Sequence, residues 1–185
     1  MEKKKLGALL LKIRKSLGRM KIYGDLRKTL KFNKKVHKFH EKLEKKIGDD
    51  AFFEMGFICR LLSAEHPEEE AYSTQACNYF EYAYTFNDGD SRAVNMLKKH
   101  FGLLEVPDAD GKPFYFYIWA PQFYGEPDEP FEFQGKLYRK VYTINRLDHS
   151  DHFVTCTKSS DGEMTYQLVT DYAERDALHK REWSL

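Results

Sequence analysis

The apolar residues of this chain follow one rule up to about Gly102 and another after Val106, and that change restricts the folds open to it. Before the switch they recur at the three- and four-residue intervals of an α-helix; after it they come in short runs broken by turn residues. Helices first and strands afterwards, rather than the two in alternation, argue for an α+β fold with an antiparallel sheet. The expected order is a pair of basic N-terminal helices, a helical layer over about 50–102, a sheet of about four strands over about 113–170, and a C-terminal helix over about 171–183.

In the first segment Leu6, Leu10, Ile13, Leu17 and Met20 wind into one narrow stripe with Lys12, Lys15 and Arg19 off it, which predicts a basic amphipathic helix. Gly18 weakens that helix from within, and Gly24 ends or bends it. In the second segment Phe32, Val36, Phe39, Leu43 and Ile47 share a face, while Leu26 and Leu30 point well away from it. This slip of phase near Asn33 predicts a kink, or a helix gripped on two sides. His37, His40, Glu41 and Glu44 fall largely opposite the stripe, where an amphipathic helix turns polar groups to water. They have neither HExxH nor ExxH spacing, so no metal is assigned to them.

The stretch DDAFFEMGFICRLLSAEH is apolar almost all round and reads as a buried helix opened by Asp49 or Asp50. Pro67 suits the first position of the next helix, with Glu68, Glu69 and Glu70 complementing its positive end. Tyr72, Ala76, Tyr79, Phe80 and Ala83 form that helix's inner face. The small residues among them fit a close antiparallel crossing with the helix before. Asn87, Asp88 and Gly89 close it, Asp90 or Ser91 caps a further helix, and Gly102 ends that one.

Beyond Val106, PDADGKP is a turn, FYFYIWA a strand, APQFYGEPDEP a loop, and KLYRKVYTIN a second strand after a turn at Gln134 and Gly135. HFVTCTK and EMTYQLVT flank an Asp-Gly pair, a strong hairpin signal. With Asp161 and Gly162 as a two-residue loop, Phe153, Met164, Tyr166 and Leu168 share one face and Val154, Cys156 and Val169 the other. Asp171 and Glu174 make a D-x-x-E capping pattern for the last helix.

Charge divides the chain differently. Residues 1–47 carry 17 Lys and Arg against 4 Asp and Glu, net +13, and the remainder 13 against 25, net −12; the formal total of +1 hides the split. On this basis residues 1–47 are a basic arm and residues 48–185 an acidic body. Asymmetry of this kind points to an anionic partner. Lys12, Arg14, Lys15, Arg19 and Lys21 are the candidate contacts. Three anions compete: the acidic body itself, a nucleic-acid backbone, and an anionic membrane surface. The last is the weakest, because residues 1–22 lack the Trp or Phe that such helices favour.

Two further constellations carry possible chemistry. Tyr115, Tyr117 and Trp119 alternate along one strand and, with Phe123, Tyr124, Glu126, Asp128 and Glu129 of the following loop, form an acidic aromatic surface suited to a protein partner or, by stacking, to bases and sugars. Core packing is the ordinary use of such aromatics. In RLDHSDHF, Asp148, His149, Asp151 and His152 crowd a loop, the residue types of a metal-dependent hydrolase, and the same residues are also common turn formers.

Cysteine chemistry is excluded by distance, since His152 and Cys156 on one strand stand about 13 Å apart at 3.3 Å per residue. Three unclustered cysteines suit a reducing, cytoplasmic setting. The six-residue apolar run after MEKKK is short for a secretory leader, and no stretch is long and apolar enough to span a membrane. No nucleotide- or cofactor-binding motif occurs, so no cofactor is expected. The sequence favours a non-catalytic binding protein with a protein partner, ahead of a nucleic-acid binder led by the arm and a hydrolase at residues 148–152.

Overall fold

Ile13 and Leu17, one turn apart in the first basic segment, and Phe32, Val36 and Leu43 in the second have no exposed surface at all. These segments are therefore packed elements of the fold rather than a free arm. The computed structural model describes residues 3–20, 22, 25–119 and 129–182. The chain forms two compact units, Met1–Leu97 and Lys98–Leu185. Packing thus divides it some fifty residues beyond the boundary drawn by charge.

The first unit holds α1 (Lys3–Leu17), α2 (Leu26–Ile47), α3 (Asp50–Glu65), α4 (Glu70–Phe86) and the start of α5 (Ser91–Phe101). α1 ends at Leu17, so Gly18 terminates it rather than weakening its interior. A Cβ on Gly18 would stand 2.9 Å from Leu62 Cδ2, and its absence lets the end of α1 approach α3. α2 is one continuous helix capped by Asp25, whose Oδ1 accepts the Arg27 and Lys28 amides at 2.9 and 3.2 Å. The helix runs unbroken through Asn33. Leu26 and Leu30 are simply exposed, 74% and 52%.

The buried stripe of α2 is Phe32, Val36, His40 and Leu43. His40, expected to face water, is 6% exposed and lies against Phe52 and Tyr79, ring centroids 4.3 and 5.3 Å away. The neighbouring helices grip α2 on its 36–40–43 side, which turns Phe39 to the edge of the contact and draws His40 in.

α3 and α4 form the antiparallel hairpin expected from their small residues. Ala51, Cys59, Ala76, Cys77 and Ala83 are all fully buried, as are Met55 and Phe80. α3 is not buried all round, since Phe57 is 40% exposed. Pro67 lies in the turn before α4 rather than on its first position, and Glu69 is the N-cap residue. After α4, Asp88 and Gly89 take positive φ values of 42° and 74°, the left-handed geometry that ends the helix. Asp90 then caps α5, accepting the Arg92 amide at 2.9 Å. The Arg92 guanidinium bridges Asp90 and Asp50, both at 2.6 Å, and lies 4.5 Å over the Phe53 ring.

The second unit is an antiparallel sheet with a C-terminal helix. Among the described residues it has six strands: β1 (Leu104–Pro107), β2 (Pro113–Tyr117), β3 (Phe131–Phe133), β4 (Lys136–Thr143), β5 (His152–Lys158) and β6 (Met164–Leu168), in the order β1-β2-β4-β5-β6 with β3 beside β4. The two beyond the expected four, β1 and β3, are only 4 and 3 residues long. Gln134 and Gly135, at φ 48° and 75°, make the tight turn between β3 and β4.

One face gathers Val106, Phe116, Val141, Val154 and Cys156, with Met164, Tyr166 and Leu168 against them. Phe116 of β2 meets Tyr166 of β6 edge to face at 6.0 Å although β4 and β5 lie between those strands. The sheet therefore curls around this face. The other face, Tyr138, Phe153 and Val169, is covered by Leu178 of α6 (Tyr172–Glu182).

The β5–β6 register corrects the two-residue loop. Val154 pairs with Leu168, Cys156 with Tyr166 and Lys158 with Met164, which leaves 159–163 as the connection. Within it the Gly162 amide donates to the Ser159 carbonyl at 3.0 Å and the Ser159 amide to the Glu163 carbonyl at 2.9 Å, with Gly162 at φ 90°. Asp-Gly here is the end of an ordinary turn followed by a glycine bulge, not a mirror-image turn. The added residue shifts the register by one and exchanges faces: Met164, Tyr166 and Leu168 join Val154 and Cys156, and Val169 joins Phe153.

Candidate functional site

The basic helices are held by apolar contact and by a small polar latch. The Tyr72 hydroxyl donates to the carbonyls of Leu17 and Met20 at 3.1 and 3.2 Å, at the end of α1, where the Leu17 carbonyl also accepts the Met20 amide at 2.9 Å. Glu69, 8% exposed, accepts the Ile22 amide on Oε1 at 2.9 Å. Lys35 Nζ donates to the Ser16 carbonyl at 3.2 Å. Arg14 pairs with Glu65 of α3, and Lys28 with its own cap Asp25 at 3.6 Å.

Beyond those contacts the cations turn outward. Every described Lys and Arg of residues 3–47 is exposed except Arg14 and Lys35, which are half-buried. Of the candidate contacts, Arg14, Lys15 and Arg19 come together along a groove of about 450 Å3 that also includes Leu11, Gly18, Leu62, Glu65 and His66. Lys12 lies outside it on the exposed side of α1, and Lys21 is outside the described residues. The α3 wall of this groove was missed by sequence reasoning. Its signal was Gly18, a glycine between two lysine-flanked apolar turns, which marks a close approach of backbone to a neighbour.

The aromatic candidates separate. Tyr117 has no exposed surface and Tyr115 is half-buried with Lys98 Nζ 5.2 Å above its ring, whereas Trp119 is 44% exposed. Glu129 is exposed; Phe123, Tyr124, Glu126 and Asp128 lie outside the described residues.

The loop over 148–152 resolves into two structural ties. His152 Nε2 meets Asp148 Oδ2 at 2.7 Å, and the Ser150 amide donates to Asp148 Oδ1 at 2.9 Å. Burial would raise the Asp148 pKa, but the Ser150 amide and His152 outweigh it and hold the carboxyl below its ordinary range. Asp151 turns instead to Lys140 Nζ at 3.1 Å and His179 Nδ1 at 3.4 Å, tying the loop to β4 and α6. His149 is exposed. The four side chains do not converge, and among the described residues no group of three or more His, Cys, Asp or Glu is placed to hold a metal ion.

Cys59, Cys77 and Cys156 are all buried, and none of them forms a disulfide. Burial pushes the Cys59 thiol up to about 12 and raises Cys156 as well, the direction opposite to an activated nucleophile. Among the described residues no helix is long and apolar enough to cross a membrane. No family model, curated protein or solved structure matches this chain.

Proposed function

We propose that this is a non-catalytic interaction protein that holds an acidic surface of a partner protein on the outward face of α1 and α2. The observation that supports the reading is the division of labour on those helices. Their apolar stripe is buried in the fold, while all of their described lysines and arginines except Arg14 and Lys35 are exposed to solvent. A field of one sign over a surface of this size raises the encounter rate with an oppositely charged partner.

A nucleic acid is the competing polyanion. The protein reading is favoured by Leu11, Leu26 and Leu30, exposed by half or more among these cations. Leucine side chains match the apolar centre of a protein interface and add nothing to a phosphate contact. The acidic stretch over 121–132 and Trp119 is a second contact region in this proposal, and the setting is cytoplasmic.

The test is fluorescence anisotropy of a labelled oligoglutamate and of a nucleic-acid duplex of matched charge, with the full chain and with the triple variant Lys12→Glu, Lys15→Glu, Arg19→Glu. The acidic peptide is expected to bind, to weaken steeply between about 50 and 300 mM salt, and to lose most of its affinity in the variant. Binding confined to the duplex would replace this reading with nucleic-acid binding, and binding indifferent to salt and to the variant would reject both.

A further inference from the structure

The groove beside α1 combines two chemistries that the general charge of this surface does not require. Its base is apolar: Leu11 at 50% exposure, Leu62 buried behind it, and Gly18 without a side chain between them. Its rim carries Arg14, Lys15, Arg19 and His66 against a single acid, Glu65, which Arg14 already engages. Lys15 stands in the last turn of α1 and Arg19 in the turn just beyond it, and both are exposed.

A bare phosphate chain would satisfy the rim and gain nothing from the leucines, and a neutral apolar ligand would leave Lys15 and Arg19 without counter-charge. A peptide segment that places a large apolar side chain between carboxylates satisfies both. The volume, about 450 Å3, accommodates one or two large side chains rather than a folded element. Because the groove is open along its length, the backbone of such a segment stays hydrated.

We infer that this groove anchors a leucine- or phenylalanine-bearing acidic segment of the partner protein, with the apolar side chain on Leu11 and Leu62 and its flanking carboxylates on Lys15 and Arg19. The inference rests on the proposed function and adds to it the point at which specificity enters. Charge brings the partner to the helices, and the apolar anchor decides which acidic segment remains.

Two labelled synthetic peptides of equal length and charge test it, one with glutamates flanking two leucines and one with both leucines replaced by serine. Anisotropy with the full chain is expected to give at least tenfold tighter binding of the leucine peptide. Leu11→Ser brings that peptide down to the serine peptide's affinity, with an unchanged helical circular-dichroism signal. On the unaltered protein, amide shifts on titration with the leucine peptide fall on Gly18, Leu62 and His66. Equal binding of the two peptides overturns the groove while leaving the acidic-partner reading intact. Shifts that miss these residues, or a Leu11→Ser variant that keeps the tenfold preference, also overturn it. Failure of both peptides to bind rejects the inference and the proposed function together.

Discussion

Replacing Gly56 with alanine destabilises the first unit even though alanine is the better helix former, and the same replacement at Gly7 does the opposite. Gly56 lies mid-helix in α3 where α4 crosses it. A Cβ there would stand 2.8 Å from both Cδ1 and Cε1 of Phe80 and 3.2 Å from its Cγ. Phe80 has no exposed surface and its ring centroid lies 5.6 Å from that of Phe53, so the ring has no free space to move into. At Gly7, inside α1 and exposed, nothing lies within 4 Å of an added Cβ. Helix propensity favours alanine by about 1 kcal/mol at both positions. Overpacking of a rigid neighbour costs about 1–3 kcal/mol, and contact below 3.0 Å with ring atoms sets Gly56 in the upper part of that range. The net loss is about 1–2 kcal/mol at Gly56, against a gain of up to about 1 kcal/mol at Gly7. In urea, monitored by helical circular dichroism, a slope of about 2 kcal/mol/M turns these into a midpoint lower by about 0.5–1 M and one higher by up to about 0.5 M. Adding Phe80→Leu to Gly56→Ala recovers part of the loss, because the smaller side chain vacates the contact. A Gly56→Ala midpoint at or above the parent's would refute a backbone-close crossing of α3 and α4.

Other consequences concern buried polar groups. Burial lowers the His40 pKa below its ordinary 6.5, outweighing the nearby carboxylate of Glu44, so the folded chain keeps this imidazole neutral where the unfolded chain takes up a proton. Stability from this site is complete above about pH 6.5 and declines as pH falls from there to the folded-state pKa; His40→Phe flattens that slope, measured as the midpoint shift between neutral and mildly acidic urea titrations. Glu69→Ala leaves the Ile22 amide without its acceptor and costs about 1–3 kcal/mol, while Glu69→Gln retains an oxygen at the same place and costs less. Amide hydrogen exchange at Ile22 reports the same contrast directly, faster in the alanine variant than in the glutamine one.

The helical half was readable because its periodicities are long. Five residues of the α4 inner face, from Tyr72 to Ala83, all prove to be buried. What failed there were single-turn decisions. Phe39 and His40 are consecutive and about 100° apart around the helix, and composition alone assigns the phenylalanine inward; only the positions of Phe52 and Tyr79 make the histidine the better fit. In the sheet the strands were legible and the register was not. Local sequence specifies that Asp161 and Gly162 turn the chain, but whether they form a two-residue loop or end a longer one depends on Ser159, whose hydroxyl reaches both Asp161 and the Glu163 carbonyl. One residue of slip then exchanges the faces of every side chain on β6. Of the candidate site, the α1 cations could be named from sequence. Their neighbours Leu62, Glu65 and His66 could not, because no local pattern links residues separated by more than forty positions.

The charge split and the packing split fall at different residues, and that displacement carries an argument about what the charge is for. If the lysines of residues 1–47 served mainly to dock these helices on acidic neighbours, they would concentrate at the contact with α3 and α4. The contact instead consists of Ile13, Leu17, Phe32, Val36 and Leu43, with hydrogen bonds from Tyr72 and to Glu69 at the connection. Arg14 with Glu65 is an ion pair in solvent, worth about 1 kcal/mol or less. Attachment of the helices thus proceeds almost without the charge. A concentration of like charge on two adjacent helices repels itself and destabilises the fold slightly, so folding alone gives no reason to place it there. Under the proposed function its use lies with an external anion, and the outer cations of α1 can then be reversed in sign without loosening the helix that carries them.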